Sequence, residues 1–400
     1  MASETGQVRR RRVFYIPGYD PIPARRYREI YRREGALQAE ISGYELGLRP
    51  RPKDGPFGWQ AIARMDGEEV VTDFEVLVWA DIVKDSMGQG ILATYAGLVR
   101  TAWIYISTGV LFRLMRLRKG PVIAALYPIV MLLLQLVVAV AVGLGLSRLL
   151  GLLIPSPLHL FGLCVVWPVL LAFRAQDGAL YAYYLMHDYA FTAKARGANP
   201  PELEKRMLDF AERIAHATHE DVEEVLVVGH SSGAHLAVSI LADLLRAKAV
   251  GPARLSLLSL GHVIPMVSFL PQAERLRGDL NYLSARDALV WVDVTAPGDG
   301  CAFALCDPVA VTGVAPDGKR WPLVLSAAFT QTLKPETWAR LRWRFFRLHF
   351  QYLHAFDRPG DYDYFRITAG PMTLGERFAN RAPSASRKEL PVSAYRSMEA

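Results

Sequence analysis

The run PVIAALYPIVMLLLQLVVAVAVGLGL, from Pro121 to Leu146, contains no charged side chain. A helix of that length, rising roughly 1.5 Å per residue, crosses a hydrocarbon core about 30 Å thick. A second apolar segment, LLGLLIPSPLHLFGLCVVWPVLLAF, covers residues 149–173 after the break at Ser147 and Arg148, with Pro155 and Pro157 near its start. Both segments are apolar on every face, which favours two lipid-facing helices over one span plus a buried soluble helix. We therefore expect a membrane hairpin over residues 113–174, with spans at about 121–146 and 153–173 and a short turn around 147–157.

The flanks orient this hairpin. Arg113, Arg116, Arg118 and Lys119 precede it and Arg174 closes it, whereas the turn holds Arg148 and His159. The positive-inside rule places both long flanking regions, and so both termini, in the cytoplasm. The preceding stretch LVRTAWIYISTGVLFRLMRLR mixes aromatic residues with arginines and suits either an interfacial helix or one packed on the soluble part. Composition agrees with a local apolar excess: 52% hydrophobic against 21% charged residues, with a mean hydropathy of +0.15.

The net charge of +7 comes from arginines gathered beside the apolar segments and in the N-terminal third. There they suit anionic headgroups, and no nucleic-acid-binding motif accompanies them, so membrane lipids are expected as partners and nucleic acid is not. The three cysteines, Cys164, Cys301 and Cys306, lack the spacing of a zinc site or a disulfide framework, which fits reduced thiols in a cytoplasmic domain and no metal. Residues 1–12 (MASETGQVRRRR) enter VFYIPG without a longer apolar segment, so a flexible basic N-terminus and no secretory leader are expected.

The remaining sequence alternates strand and helix patterns. RVFYIPGYDP reads as a buried strand ending in a turn, residues 23–46 as an amphipathic helix, and residues 58–80 as strands around Asp66-Gly67. Residues 200–219 open on prolines and acidic residues with helical spacing. EEVLVVGH, ARLSLLSLG and ALVWVDVTA then read as strands separated by helices, which implies an α/β fold with a largely parallel sheet flanked by helices. Two soluble parts, residues 13–112 and 175–371, would thus enclose the hairpin. The tail 372–400, rich in Arg, Ser, Ala and Pro, reads as disordered.

Within VLVVGHSSGAHLAVSILADLL the pattern changes from strand to helix at Gly229-His230-Ser231-Ser232-Gly233. A sharp turn there brings two backbones close, leaving no room for side chains at Gly229 and Gly233. It lifts the Ser231 hydroxyl to the carboxyl edge of the sheet, beside the positive end of the following helix.

In this context the stretch resembles the nucleophile elbow of the α/β-hydrolase superfamily, in which an acid and then a histidine follow the serine in chain order. The resemblance covers residues 13–20 and about 200–371. It implies an acid in WVDVTAPGDGCAFALCDPV: Asp293 lies inside the strand, Asp299 just beyond its end, and Asp307 later. Position favours Asp299, with Asp307 in reserve. His349 and His354 are the two histidines after it. The segment RWRFFRLHFQYLHAF is similar to the final histidine region of class-3-type lipases, which favours His349 and leaves His354 in reserve. His230 and His235 read as packing residues. The oxyanion amides implied are those of Ser232 and, from the loop after the first strand, Tyr19. Pro17-Gly18 stands where family members often have His-Gly.

The chain also looks like membrane-anchored bacterial members of the superfamily. The resemblance implies a multi-pass inner-membrane serine hydrolase that needs no cofactor and cleaves esters or thioesters, with lipid-like acyl substrates expected from the hairpin. The same residues would serve an acyltransferase, and a catalytically inactive hydrolase fold acting as a membrane scaffold is the third expectation.

Overall fold

The computed structural model describes residues 7–51, 55–88, 90–153 and 157–399. Its centre is an eight-stranded sheet: β1 (Arg10–Ile16), β2 (Glu45–Pro50), β3 (Gly58–Met65), β4 (Glu68–Val76), β5 (Glu224–His230), β6 (Arg254–Leu260), β7 (Leu289–Thr295) and β8 (Leu323–Ser326). The spatial order is β2-β3-β4-β1-β5-β6-β7-β8. The β2/β3 and β3/β4 pairs are antiparallel and the other five are parallel. This is the α/β architecture with a mostly parallel sheet.

Strand β5 is buried along its whole length, as a parallel strand covered on both faces must be. Its side chains alternate. Val225 and Val227 join the core beneath the helices Pro201–Thr218, Gly233–Arg246 and Glu274–Ser284. Leu226 and Val228 join the core of the other face, where aromatic residues such as Tyr31, Trp59, Phe74 and Tyr352 collect. Among these, Trp59 and Phe74 stack at 4.8 Å between cross-strand neighbours.

Several expectations change at their edges. The helix expected over 23–46 is Arg25–Ser42; Gly43 ends it in the left-handed region (φ 72°), and Glu45 and Leu46 already belong to β2. The Asp66-Gly67 pair does join β3 to β4, with φ of 53° and 83°. The basic N-terminus is not free from Arg10 onward. Arg11 is wholly buried and pairs with Glu224 of β5 at 2.7 Å. Arg12 pairs with Glu75 at 2.6 Å and Arg10 with Asp221 at 2.7 Å. Arg11 ties β1 to β5 and Arg12 ties it to β4, while Arg10 stays exposed beside Asp221.

The tail expected to be disordered is ordered against the sheet. Thr373 caps the short helix Leu374–Arg377 with a capping box, and Leu374 and Phe378 are buried. Further on, Val392 N–H donates to Val311 O, and the buried Arg277 donates to Ser397 O. A few anchors decide the matter where average composition pointed the other way.

Between β4 and β5 the chain leaves the sheet as helices. Lys119–Gly151 and residues 158–175 are both long and apolar enough to cross a membrane. Large side chains such as Val130, Leu134 and Val137 on the first are exposed. The two pack closely: a Cβ at Gly162 would fall 2.4 Å from Ser147 N, and Gly143 faces Leu163 and Val166. Ser147 and Arg148 lie inside the first helix and not in the turn, and residues 154–156 of the expected turn lie outside the described residues.

Candidate active site

Ser231 stands between β5 and the helix Gly233–Arg246, in the left-handed region at φ 57°. For a residue with a Cβ this backbone is costly, on the order of 1–3 kcal/mol, and persists only where surrounding structure imposes it. Its neighbours impose it. A Cβ at Gly229 would lie 2.7 Å from Gly233 O, and one at Gly233 only 2.2 Å from Ile16 O. The Ser231 amide donates to Leu260 O at 2.9 Å, tying the turn to β6. Both glycines are therefore demanded by close backbone approach, as the motif suggested.

The loop after β1 faces this turn. Gly18 suits this close approach, since a Cβ there would lie 3.0 Å from Ser231 Cβ, tighter than most Cβ contacts. It has no positive φ, so close approach and not a tight turn explains it. Three side chains position the loop: Trp79 Nε1 donates to Pro17 O at 2.9 Å, Tyr184 OH donates to Tyr19 O, and Tyr27 OH donates to Asp20 at 2.7 Å. The two expected oxyanion amides differ. Among the described residues the Ser232 N–H has no partner. The Tyr19 N–H donates to Ser232 Oγ over a long 3.3 Å.

Asp299 and His349 meet behind the cavity that Ser231 faces, with His349 on its wall. Asp299 Oδ2 accepts from His349 Nδ1 at 2.7 Å and from Tyr352 OH at 3.0 Å, while Oδ1 accepts from Cys301 N–H at 2.9 Å. Burial would push this carboxyl up, but the imidazole and these donors outweigh it and hold Asp299 below the usual range. His230 fixes the histidine in turn. Burial lowers its imidazole to about 3, so it is neutral, and its Nε2–H donates to His349 O at 3.0 Å. The ring next to the serine thus supports the backbone of the distant histidine, a role beyond simple packing.

Ser231, His349, Gly18, Tyr19 and Ser232 line one cavity of about 90 Å3. No hydrogen bond joins Ser231 Oγ to His349 in it, a contact that commonly tightens only around substrate. The reserve residues lie elsewhere in role. Asp307 caps the short helix Pro308–Thr312 and pairs with Lys319 at 2.5 Å. His354 Nδ1 donates to Phe350 O at 2.7 Å and is absent from the cavity wall. Asp293 accepts from Ser259 Oγ at 2.6 Å inside the sheet.

Three residues of the site escaped sequence reading. Tyr352 bridges Asp299 and the Ala296 N–H. Tyr184 pins the Tyr19 loop. Asp188, on the helix Ala182–Lys194, lines the cavity with no hydrogen-bond partner among the described residues. Desolvation raises it to about 7, offset in part by His349. An acid within YAYYLMHDYAF was the available signal, since aromatic neighbours make a solvated face improbable.

Asp299, Cys301 and His349 also bring one potential metal ligand each to within 4.8 Å of one another. The donor set suits a hydrogen-bonded pair better than an ion. His349 Nδ1 is engaged by Asp299, and burial keeps the Cys301 thiol well above its ordinary value, disfavouring thiolate. Comparison with protein-family models, with curated proteins and with solved structures gives no match, so the site's geometry alone carries its interpretation.

Proposed function

We propose that the chain is a serine hydrolase of α/β-hydrolase type that cleaves esters or thioesters at a membrane surface. The observation that carries this reading is one cavity lined by a serine in a strained strand-to-helix turn and by a histidine that is hydrogen-bonded, behind the wall, to a buried aspartate. Chain order supports it as well: serine after β5, acid after β7, histidine after β8.

In the reaction, Ser231 Oγ attacks the acyl carbonyl and His349 Nε2 takes the hydroxyl proton. Asp299, bonded to Nδ1, orients the ring and balances its charge. Negative charge on the carbonyl oxygen is met by the Ser232 N–H and by the Tyr19 N–H as Ser232 Oγ yields its place. His349 returns the proton to the departing alkoxide or thiolate. Water, deprotonated by the same imidazole, then releases the acid from Ser231. The two apolar helices support a membrane setting: Pro121, in the first turn of Lys119–Gly151, is part of the cavity wall. With the basic flanks inside, the catalytic part faces the cytoplasm of a bacterial inner membrane.

Fluorophosphonate labelling of membranes tests the reading. Wild type should label, and Ser231→Ala should abolish labelling and ester cleavage together. Labelling that persists in Ser231→Ala removes the proposal, and a wild type inert to every ester and probe favours a scaffold.

A further inference from the structure

A wider groove of about 370 Å3 opens beside the catalytic cavity, and the two share Pro121. Arg116, Arg118, Lys119 and Lys388 line it. Its floor includes the loop that carries Asp299: the Gly300 carbonyl lies 3.4 Å from where a Cβ of Gly120 would be. Asp299 is the one carboxylate on this lining, and it is committed to His349, Tyr352 and the Cys301 N–H.

The cations are not neutralised by carboxylates. Arg118 Nε donates to Ala304 O at 2.9 Å and Lys388 Nζ to Leu117 O, both backbone carbonyls. Among the described residues Arg116 and Lys119 have no hydrogen-bond or ion-pair partner, and both are exposed. Lys119 opens the helix Lys119–Gly151, which has no side-chain cap and no acid in its first turn, and Arg116 lies in the last turn of the preceding helix Val110–Leu117. Lys119 at the positive end of its helix opposes the helix dipole, and the neighbouring cations repel one another. An anion in the groove reverses both terms, and the first-turn amides of Lys119 and Gly120 add donors for it, Pro121 having none. A general preference for basic residues beside a span accounts for the sign of this charge. It does not account for a groove continuous with a cavity that holds Ser231.

We propose that this groove binds the phosphate of an anionic lipid headgroup while an acyl ester of the same molecule reaches Ser231. The first turn of an apolar helix lies at the depth of headgroups, so substrate would arrive laterally from the bilayer with its phosphate at Arg116 and Lys119. This assignment rests on the hydrolase reading above and narrows it to anionic glycerophospholipids or lipids of like charge.

The test uses the full chain in bilayers of one fixed anionic host composition, so that surface potential is the same in every arm. Trace fluorogenic phosphatidylglycerol and phosphate-free diacylglycerol with identical acyl chains are the substrates. Wild type should cleave the anionic lipid faster by about tenfold or more, given on the order of 1 kcal/mol per basic side chain. Arg116→Gln with Lys119→Gln should remove most of that preference while a short soluble ester and Ser231 labelling stay unchanged. Equal rates on the two lipids in wild type, or an unaltered preference in the double variant, overturns the proposal. Inhibition by millimolar inorganic phosphate without any lipid preference reassigns the groove to soluble phosphate. Should no ester be cleaved and Ser231 not label, the hydrolase reading falls. Binding of spin-labelled phosphatidylglycerol, wild type against double variant, then decides the groove separately.

Discussion

Two acids act on His349 and are treated in opposite ways. Asp299, on the loop after β7, is almost fully buried yet receives three hydrogen bonds, and its carboxyl lies below the usual range. Asp188, on the helix that follows the apolar hairpin, receives none and is pushed up to about 7. Burial penalises both charges. At Asp299 the His349 charge and then three donors outweigh it, whereas at Asp188 His349 offsets it only in part and no donor helps. The loop is built to hold an anion against His349, and the helix presents a carboxyl that holds its proton up to near neutral pH.

The largest effect expected from breaking this contrast is at Asp299. Asp299→Asn keeps the shape but removes the charge and lets the amide favour the wrong imidazole tautomer. Ester turnover should fall on the order of 10^3–10^4-fold, read as kcat on a soluble ester with Ser231 labelling measured in parallel. Wild-type turnover in that variant would exclude Asp299 as the partner of His349. Tyr352→Phe should act less strongly. It removes one of three donors and leaves the Ala296 N–H without its acceptor. Loss of one hydrogen bond to a charged group predicts about a tenfold or somewhat larger fall in kcat, with KM nearly unchanged. An equal change in KM would instead mean that Tyr352 shapes the cavity and does not steady the acid.

The same contrast explains what was legible in the chain. The turn around Ser231 could be read because every demand on it is local: two glycines, a serine and a change of period lie within a few residues. Position beyond a strand favours Asp299, whereas chain order leaves His349 and His354 open and only the resemblance of the segment around them to a lipase histidine region favours His349. Partners far apart in sequence were not legible. Arg10, Arg11 and Arg12 read as a basic tail because Asp221, Glu224 and Glu75 lie far along the chain. The C-terminal segment read as disordered because Leu374, Phe378 and Val392 are diluted by Arg, Ser and Pro, although each has a prepared seat on the fold. Strand β8 is four residues long, too short for its alternation to stand out. Asp188 carries no motif beyond its aromatic neighbourhood, and its meaning arises from the cavity it lines.

The smallest expected effect is at Asp188, and its sign can be derived. Between pH 4 and 7 the folded chain keeps a proton on Asp188 that the unfolded chain, with an ordinary aspartate, has already released. The unfolded state therefore binds fewer protons in that window, and stability must fall as pH rises through it, levelling off above about 7. His349 opposes the shift, while Tyr19, Tyr184, Tyr189, Tyr105 and Cys301, which also face the carboxyl, remain neutral there. Asp188→Asn keeps the volume and has nothing to ionise. Its melting temperature should match wild type near pH 4 and exceed it by a few degrees at pH 8, with the gap opening between. A constant gap at every pH would mean that the side chain matters for packing alone. A gap that opens toward low pH would mean that Asp188 is stabilised as a carboxylate, which would erase the contrast with Asp299.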